Sequence, residues 1–371
     1  MKIINFDHNA TTAVASEVLA CINEAYGFSG NSSSSHAMGR KAAMLIETAR
    51  EDLRDALNAA NYEIYFTSGG TEANNMALFG DDYSQIFYSR IEHSSVYNTR
   101  PRGVEIVELK ADEDGVVSMK DLSEKLAKAT SKNFLVSLML ANNETGALQK
   151  VREAAQIVHQ HGGLIHTDLV QAFGKIPVDL EELNVDFASV SSHKINGPQG
   201  AGALLVRRGI DIRPLIYGGG HERGKRAGTL NNAGIAGFGA AIKLLNKKLA
   251  SMAACQQLRD FLEVEIKKIA GDDVMIFSQN VARASNTSFF ALKGADSQTQ
   301  MIYFDMNGIM VSNGSACSSG TVKTSRVLQA MNVPLEFLGA TRVSFGAENT
   351  REEVEKFIKL WGDFYRQQKN S

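Results

Sequence analysis

Ser191-Ser192-His193-Lys194-Ile195-Asn196-Gly197-Pro198-Gln199-Gly200-Ala201-Gly202 is the stretch around which the chain is organised. The residues before it, Phe187-Ala188-Ser189-Val190, read as a short strand running into a loop. The loop presents two hydroxyls, an imidazole and one amine, followed by glycines and a proline. Lysine is the side chain that makes Schiff bases, because its amine becomes nucleophilic once desolvated or placed near positive charge. A cofactor held this way, pyridoxal phosphate (PLP), also needs phosphate donors and an acidic partner for its ring nitrogen. An ordinary lysine in a surface turn would need neither, so the rest of the chain decides between the two.

Working outward, strand and helix patterns alternate. Strands are expected at 63–66, 85–88, 104–109, 134–140, 164–168, 187–191 and 203–206. Helices are expected at 39–60, 119–129 and 151–160. Such alternation predicts an α/β fold with a mostly parallel sheet covered by helices on both faces. Ligands in such sheets sit beyond the carboxyl ends of the strands. That rule gathers Gly70, Thr71, His93, Asn142, Asn143, Asp168 and Lys194, which all fall just after expected strands. Thr67-Ser68-Gly69-Gly70-Thr71-Glu72 opens a helix and offers unpaired N–H groups and hydroxyls to an anion, though it equally suits a simple capped helix start. No Gly-Lys-Ser/Thr follows, so it is not a Walker loop. Asp168 suits either a helix cap or the partner of a pyridinium nitrogen. His93 suits either a bonded structural histidine or a ring lying over a planar cofactor. The loop 27–36 reads as a linker or as a polar lining, with Asn31 and His36 as its candidates. His159, His161 and His166 lack matching ligand spacing, and His161-Gly162-Gly163 reads as a helix end, so no intrinsic metal site is expected.

Length and charge narrow the class. At 371 residues the chain exceeds one ordinary core and fits two lobes. Lys plus Arg (39) nearly balance Asp plus Glu (41), which argues against nucleic acid as a direct partner. No apolar run approaches the roughly 20 residues of a membrane span, and the N-terminus reads as a strand and not as a signal peptide. Three cysteines, Cys21, Cys255 and Cys317, form no even framework, which suits a reducing, cytoplasmic setting. Cys21 and Cys255 lie in helical, partly apolar stretches. Cys317 lies among small residues, Gly314-Ser315-Ala316-Cys317-Ser318-Ser319-Gly320, where a thiol is accessible. A glycine and arginine loop at 218–229 leads to a long helical stretch, 231–269. Short strands at 274–277, 287–290, 310–312 and 341–345, closed by a helix over 351–367, then make a smaller α+β lobe.

Taken together these motifs resemble the cysteine desulfurases, the NifS/IscS group of fold-type-I PLP enzymes in the class-V aminotransferase family. The resemblance rests on Asn9-Ala10-Thr11-Thr12, Phe66-Thr67-Ser68-Gly69-Gly70-Thr71-Glu72, Glu92-His93, Asn142-Asn143-Glu144, Asp168 with Gln171, Ser192-His193-Lys194, Gly219-Gly220-His221-Glu222-Arg223 and Gly314-Ser315-Ala316-Cys317. It implies a large PLP-binding domain over 13–250 with a mostly parallel seven-stranded sheet. Residues 1–12 and 251–371 would form a small domain carrying the cysteine loop, about 312–325. It implies that Lys194 holds PLP and that Gly70, Thr71, Ser191 and His193 bind its phosphate, with Thr229 reaching in from a second subunit of a homodimer. Asp168 would meet the ring nitrogen, Gln171 the phenolic oxygen, and His93 would stack on the ring and take the thiol proton. Arg342, Asn143 and Asn31 would hold the carboxylate of L-cysteine. Cys317 would receive the sulfur as a persulfide, leaving L-alanine, and pass it to an acceptor protein for iron–sulfur assembly or transfer-RNA thiolation; it is also the position for a transient iron–sulfur ligand. A selenocysteine lyase or another aminotransferase-like enzyme is the alternative, and a non-catalytic assembly platform is disfavoured by the joint presence of Lys194, Asp168 and Cys317. Departures from the pattern are the missing proline after Asn31, Thr167 and Leu169 around Asp168, and Ala347 after Gly346. The few residues after the last expected helix imply weaker docking of a scaffold protein.

Overall fold

Apolar runs bounded by glycine-rich turns build the central sheet. The computed structural model describes residues 3–313 and 324–370. Its strands are β1 (Ile4–Asn5), β2 (Tyr62–Thr67), β3 (Gln85–Ser89), β4 (Glu105–Leu109), β5 (Phe134–Ser137), β6 (Leu164–Asp168), β7 (Phe187–Ser191), β8 (Gly202–Arg207), β9 (Val274–Ile276), β10 (Thr287–Leu292), β11 (Ile309–Met310) and β12 (Ala340–Ser344). Seven of them form the main sheet in the order β2-β8-β7-β6-β5-β3-β4. The run from β7 to β4 is parallel, whereas β8 lies antiparallel to both β7 and β2. Strands β3, β5 and β7 are buried along their whole length, as expected where helices cover both faces. The fold is thus the α/β class expected from the alternation.

The expected strand over 134–140 ends as a ladder at Ser137. Its continuation stays extended, and Leu138 and Leu140 still donate to the carbonyls of His166 and Asp168, at 2.9 and 3.0 Å. The expected helix over 231–269 is two helices, Asn232–Lys243 and Leu245–Ala270. The break lies at Leu244, whose φ of −91° and ψ of −1° tighten the turn. The first of the two packs against helices Ser16–Tyr26 and Ala37–Ala56. Its Gly239 permits that approach, since a Cβ there would lie 2.9 Å from the Cβ of Ala49.

Two smaller sheets complete the fold: β12-β10-β9, antiparallel, and the parallel pair β1-β11. A second core unites the chain's two ends. Phe6 lies edge-on to Phe357, with ring centres 6.0 Å apart, and Phe357 stacks on Phe304 at 4.6 Å. Trp361, fully buried, packs on Phe290 of β10. These contacts draw the helix Arg351–Asn370 over the three-stranded sheet, whose strand β12 carries Arg342. No helix among the described residues is long and apolar enough to cross a membrane.

Candidate active site

The carboxyl ends of the parallel strands open into a cavity of about 380 Å³. Its lining includes Gly70, Thr71, His93, Asn143, Asp168, Gln171, Ser191, His193, Lys194 and Arg342. Each arrives for a local reason. Strand β6 ends at Asp168, and β7 ends at Ser191, where a single 3₁₀ turn, Ser192–Lys194, folds the lysine back. Strand β2 ends at Thr67, and Gly69, with φ of +150°, turns the chain into the helix Gly70–Leu78. His93 caps the short helix Ser94–Tyr97 after β3. Arg342 comes from β12 of the smaller sheet.

Asp168 is buried, and its two oxygens accept from Val170 N and Asn74 Nδ2 at 2.8 and 2.7 Å. Asn74 Nδ2 also reaches Ser95 Oγ at 2.8 Å, and that hydroxyl lies 2.7 Å from His93 Nδ1. The backbone N–H of Ser95 donates to the same Nδ1 at 3.2 Å. Nδ1 is therefore an acceptor, and the neutral ring carries its proton on Nε2. A chain of bonds thus joins His93 to Asp168 through Ser95 and Asn74.

Lys194 Nζ donates to the carbonyls of Asn9 and Ala10, each at 2.6 Å. Next to it His193 meets Thr11 Oγ1 at 3.1 Å. Burial, helped by the charge of Lys194, pushes the His193 imidazole down to about 4, so it is neutral at pH 7. Arg342 Nη1 donates to Asn143 O at 2.8 Å and Nη2 to Asp7 Oδ1 at 2.7 Å. Its Nε is buried without a partner among the described residues. Two buried acids flank the site. Burial pushes Glu92 well above the usual carboxylate range, and the nearby charge of Asp168 adds to the effect. Burial raises Glu144 to about 7, against the pull of the Ser325 hydroxyl and of Arg342 and Arg326.

The residues present fit PLP. The helix Gly70–Leu78 begins at the cavity, uncapped by a side chain, beside Thr71 and Ser191, and the N–H groups of such a first turn with these hydroxyls make a cradle for a phosphate. The backbone there is close-packed: a Cβ on Gly70 would meet Val170 Cγ2 at 2.7 Å. A buried carboxylate for a pyridinium nitrogen and an amine for a carbonyl line the same cavity, and the orphaned Arg342 Nε suits an amino acid's carboxylate.

Of the described residues that the resemblance places in the site, two do not line the cavity. Asn31 and Thr229 are exposed. Their loops touch each other, since Asn232 Nδ2 donates to Gly30 O at 2.8 Å. Cys317 lies outside the described residues. The histidines at 159, 161 and 166 are engaged separately. His159 meets Asp186 at 2.8 Å, His161 bonds Ile157 O, and His166 sits between Ser137 and Ser189. Sequence reasoning missed Asn74 and Lys175 as parts of the site. Asn74 lies one helical turn after Gly70 on a helix that starts at the cavity, which was a readable signal.

The family model for class-V aminotransferases matches residues 4–357. A cysteine desulfurase IscS of Dictyoglomus turgidum is 38% identical over 370 residues, covering 95% of this chain and 91% of its own. A cysteine desulfurase IscS of Methanosarcina thermophila is 36% identical, covering 100% and 93%. Among solved structures, a NifS-like protein from Rickettsia africae superposes with a TM-score of 0.91 at 37% identity, covering 98% and 99%. The family is PLP-dependent. With its lysine, carboxylate and helix N-terminus gathered at the strand ends, the chain belongs to the class-V aminotransferase family, among the cysteine desulfurases of the IscS and NifS kind.

Proposed function

We propose that the protein is a PLP-dependent cysteine desulfurase that converts L-cysteine to L-alanine and carries the sulfur as a persulfide on Cys317. The observation that supports this most is the convergence of Lys194, Asp168, His93 and Arg342 on one cavity beside a helix N-terminus. Gly70, Thr71, Ser191 and His193 would hold the phosphate, Asp168 the ring nitrogen and Gln171 the phenolic oxygen. When bound, PLP supplies an electron sink beside the α-carbon of the amino acid.

Around it the chain's own groups divide the work. Arg342, with Asn143 on its Nη1, binds the substrate carboxylate. Lys194 Nζ would anchor the cofactor and, as a free amine, would take the substrate's α-proton. Asp168, fixed by two N–H donors, would hold the proton on the ring nitrogen. His93 offers a proton at Nε2; for it to accept the Cys317 thiol proton there instead, Nδ1 must carry the ring proton, so that Ser95 Oγ turns from donor to acceptor and the Ser95 N–H gives up its bond to Nδ1. The Cys317 thiolate attacks the substrate sulfur, forming an S–S bond as the C–S bond breaks and its electron pair stays with carbon.

Thr229 and Asn31 lie together on one face, away from their own cavity, and a two-fold dimer in which they complete the partner's site accounts for both. The unit formed by residues 1–12 and 251–371 would then act as one small domain against 13–250, as the shared core of Phe6, Phe357 and Trp361 suggests. A sulfur-acceptor protein completes the cycle. The test is direct: purified protein given PLP should gain a visible band that borohydride bleaches, and should release one alanine per L-cysteine consumed. No band and no alanine would overturn the proposal.

A further inference from the structure

Lys175 is an amine the scheme above does not use. It is 4% exposed. Among the described residues its hydrogen bonds go to two amide oxygens, Asn9 Oδ1 at 2.5 Å and Gln171 Oε1, and to no carboxylate. The charged groups around it are mostly of its own sign: Lys194, Lys248 and Arg342, with the Cys255 thiol opposing them. Burial, with these like charges, pushes the Lys175 amine well below the usual lysine range, and a buried amine with amide partners only is costly, so its position calls for a reason.

The reason lies in the amide it holds. A glutamine side chain has two ends of nearly the same shape, one a pure acceptor and one a pure donor. Lysine presents hydrogens, so the oxygen of Gln171 is the end that turns to Lys175. The Nε2 end then donates one hydrogen to Asn9 O at 3.0 Å, and a second remains for the cavity that Gln171 lines. Asn9 is fixed in turn. Its Oδ1 accepts from Lys175 and from Asn286 Nδ2, and its Nδ2 donates to Thr287 Oγ1 at 2.9 Å. Its carbonyl also receives Lys194 Nζ. Lys175, Asn9 and Gln171 therefore form one rigid polar unit under the cavity floor.

We propose that Lys175 is a positioning residue: by holding the oxygens of Gln171 and Asn9 it fixes the Gln171 amide so that an N–H, and not an oxygen, meets the anionic oxygen of the ring bound there. The proposal rests on the PLP reading above. A flipped amide would set an acceptor against an oxyanion. With the donor in place that oxygen is less basic and holds the neighbouring proton less tightly.

The test is the pH titration of the visible band of the PLP-loaded enzyme. Lys175→Met should raise the midpoint by about one pH unit, equivalent to about 1.4 kcal/mol. Gln171→Leu should raise it by a similar amount, and the double variant should go no further than either alone. Additive shifts would mean that Lys175 acts by its charge alone and would overturn the proposal, as would an unshifted Lys175→Met. Should Lys175→Met fail to fold, Gln171→Glu carries the test. A carboxylate beside Lys175 gains a counter-charge that offsets the N–H it no longer donates to Asn9 O, so the unloaded protein should melt within a few degrees of wild type. A fall of about 10 °C or more, as for an unpaired buried charge, would contradict the contact. A wild-type chain that gains no visible band overturns the proposed function itself; a normal band that Lys175→Met leaves unshifted overturns only the role of Lys175.

Discussion

At the scale of single residues, the site works by holding charges where water would not. Lys194 is bound by two carbonyls, Asp168 by two N–H donors, and His193 is kept neutral. Lys194→Ala should therefore keep the fold and retain PLP without the covalent link, since the phosphate cradle survives, while alanine production falls to background. Substantial turnover by this variant, measured by amino-acid analysis, would remove Lys194 from its role. Buried imidazoles also set a pH dependence. His166 is lowered to about 3 and His193 to about 4, each from a usual value of 6.5, so below 6.5 the unfolded chain binds more protons than the folded one. Stability from these groups is present above pH 6.5 and is lost as pH falls towards 4. Glu144 runs the other way: raised to about 7 from 4.5, it contributes below 4.5 and loses that contribution as pH rises through 7. Because His166 alone differs, urea melts of the unloaded protein between pH 6.5 and 4 should show His166→Asn losing less stability, or gaining more, than wild type as pH falls; equal slopes would refute the burial account.

At the scale of elements, what the sequence made legible was whatever the strand ends dictate. Asp168 and Ser191 close strands where periodicity put them, and Lys194 follows in a one-turn hook. Ten of the expected site residues consequently meet in one cavity. What was not legible depends on long-range pairing. The reversal of β8 against its neighbours, the break at Leu244 and the buried amine of Lys175 each arise from packing that no local pattern records. The loop after β8 is a further case. Its residues Glu222 and Arg223 adopt left-handed conformations, with φ of 47° and 55°. Glu222 compensates by accepting from Phe66 N at 2.7 Å and pairing with Arg50 Nη2 at 2.9 Å, in a fully enclosed setting. Arg226 of the same loop pairs with Glu72 in the first turn of the helix that opens the cavity. Arg50→Met should leave Glu222 buried and unpaired and cost about 3–5 kcal/mol, read as a lowered urea midpoint. A loss under about 1 kcal/mol would show that the pair does not hold the loop.

At the scale of the whole molecule, the seven-stranded sheet contributes the cradle and the three-stranded sheet Arg342, while Asn31 and Thr229 are exposed. In a dimer with shared sites, mixing Lys194→Ala and Thr229→Val protomers should restore activity, because half of the heterodimer's sites are intact. Failure to complement, with both parents folded and exchanging subunits, would count against sharing. Sulfur transfer makes the sharpest demand on the molecule, since one thiol must leave the chemistry carrying the product. Cys255 is buried, and its thiol is pushed up to about 11; Cys21 is half-buried and also raised. Neither is a ready thiolate at neutral pH. The decisive measurement is mass spectrometry of peptides from the PLP-loaded enzyme after a single turnover with L-cysteine. The added sulfur should sit on the Cys317 peptide alone, and Cys317→Ala should release no alanine while Cys21→Ala and Cys255→Ala stay near wild type. A persulfide on Cys21 or Cys255, or full turnover by Cys317→Ala, would contradict the account.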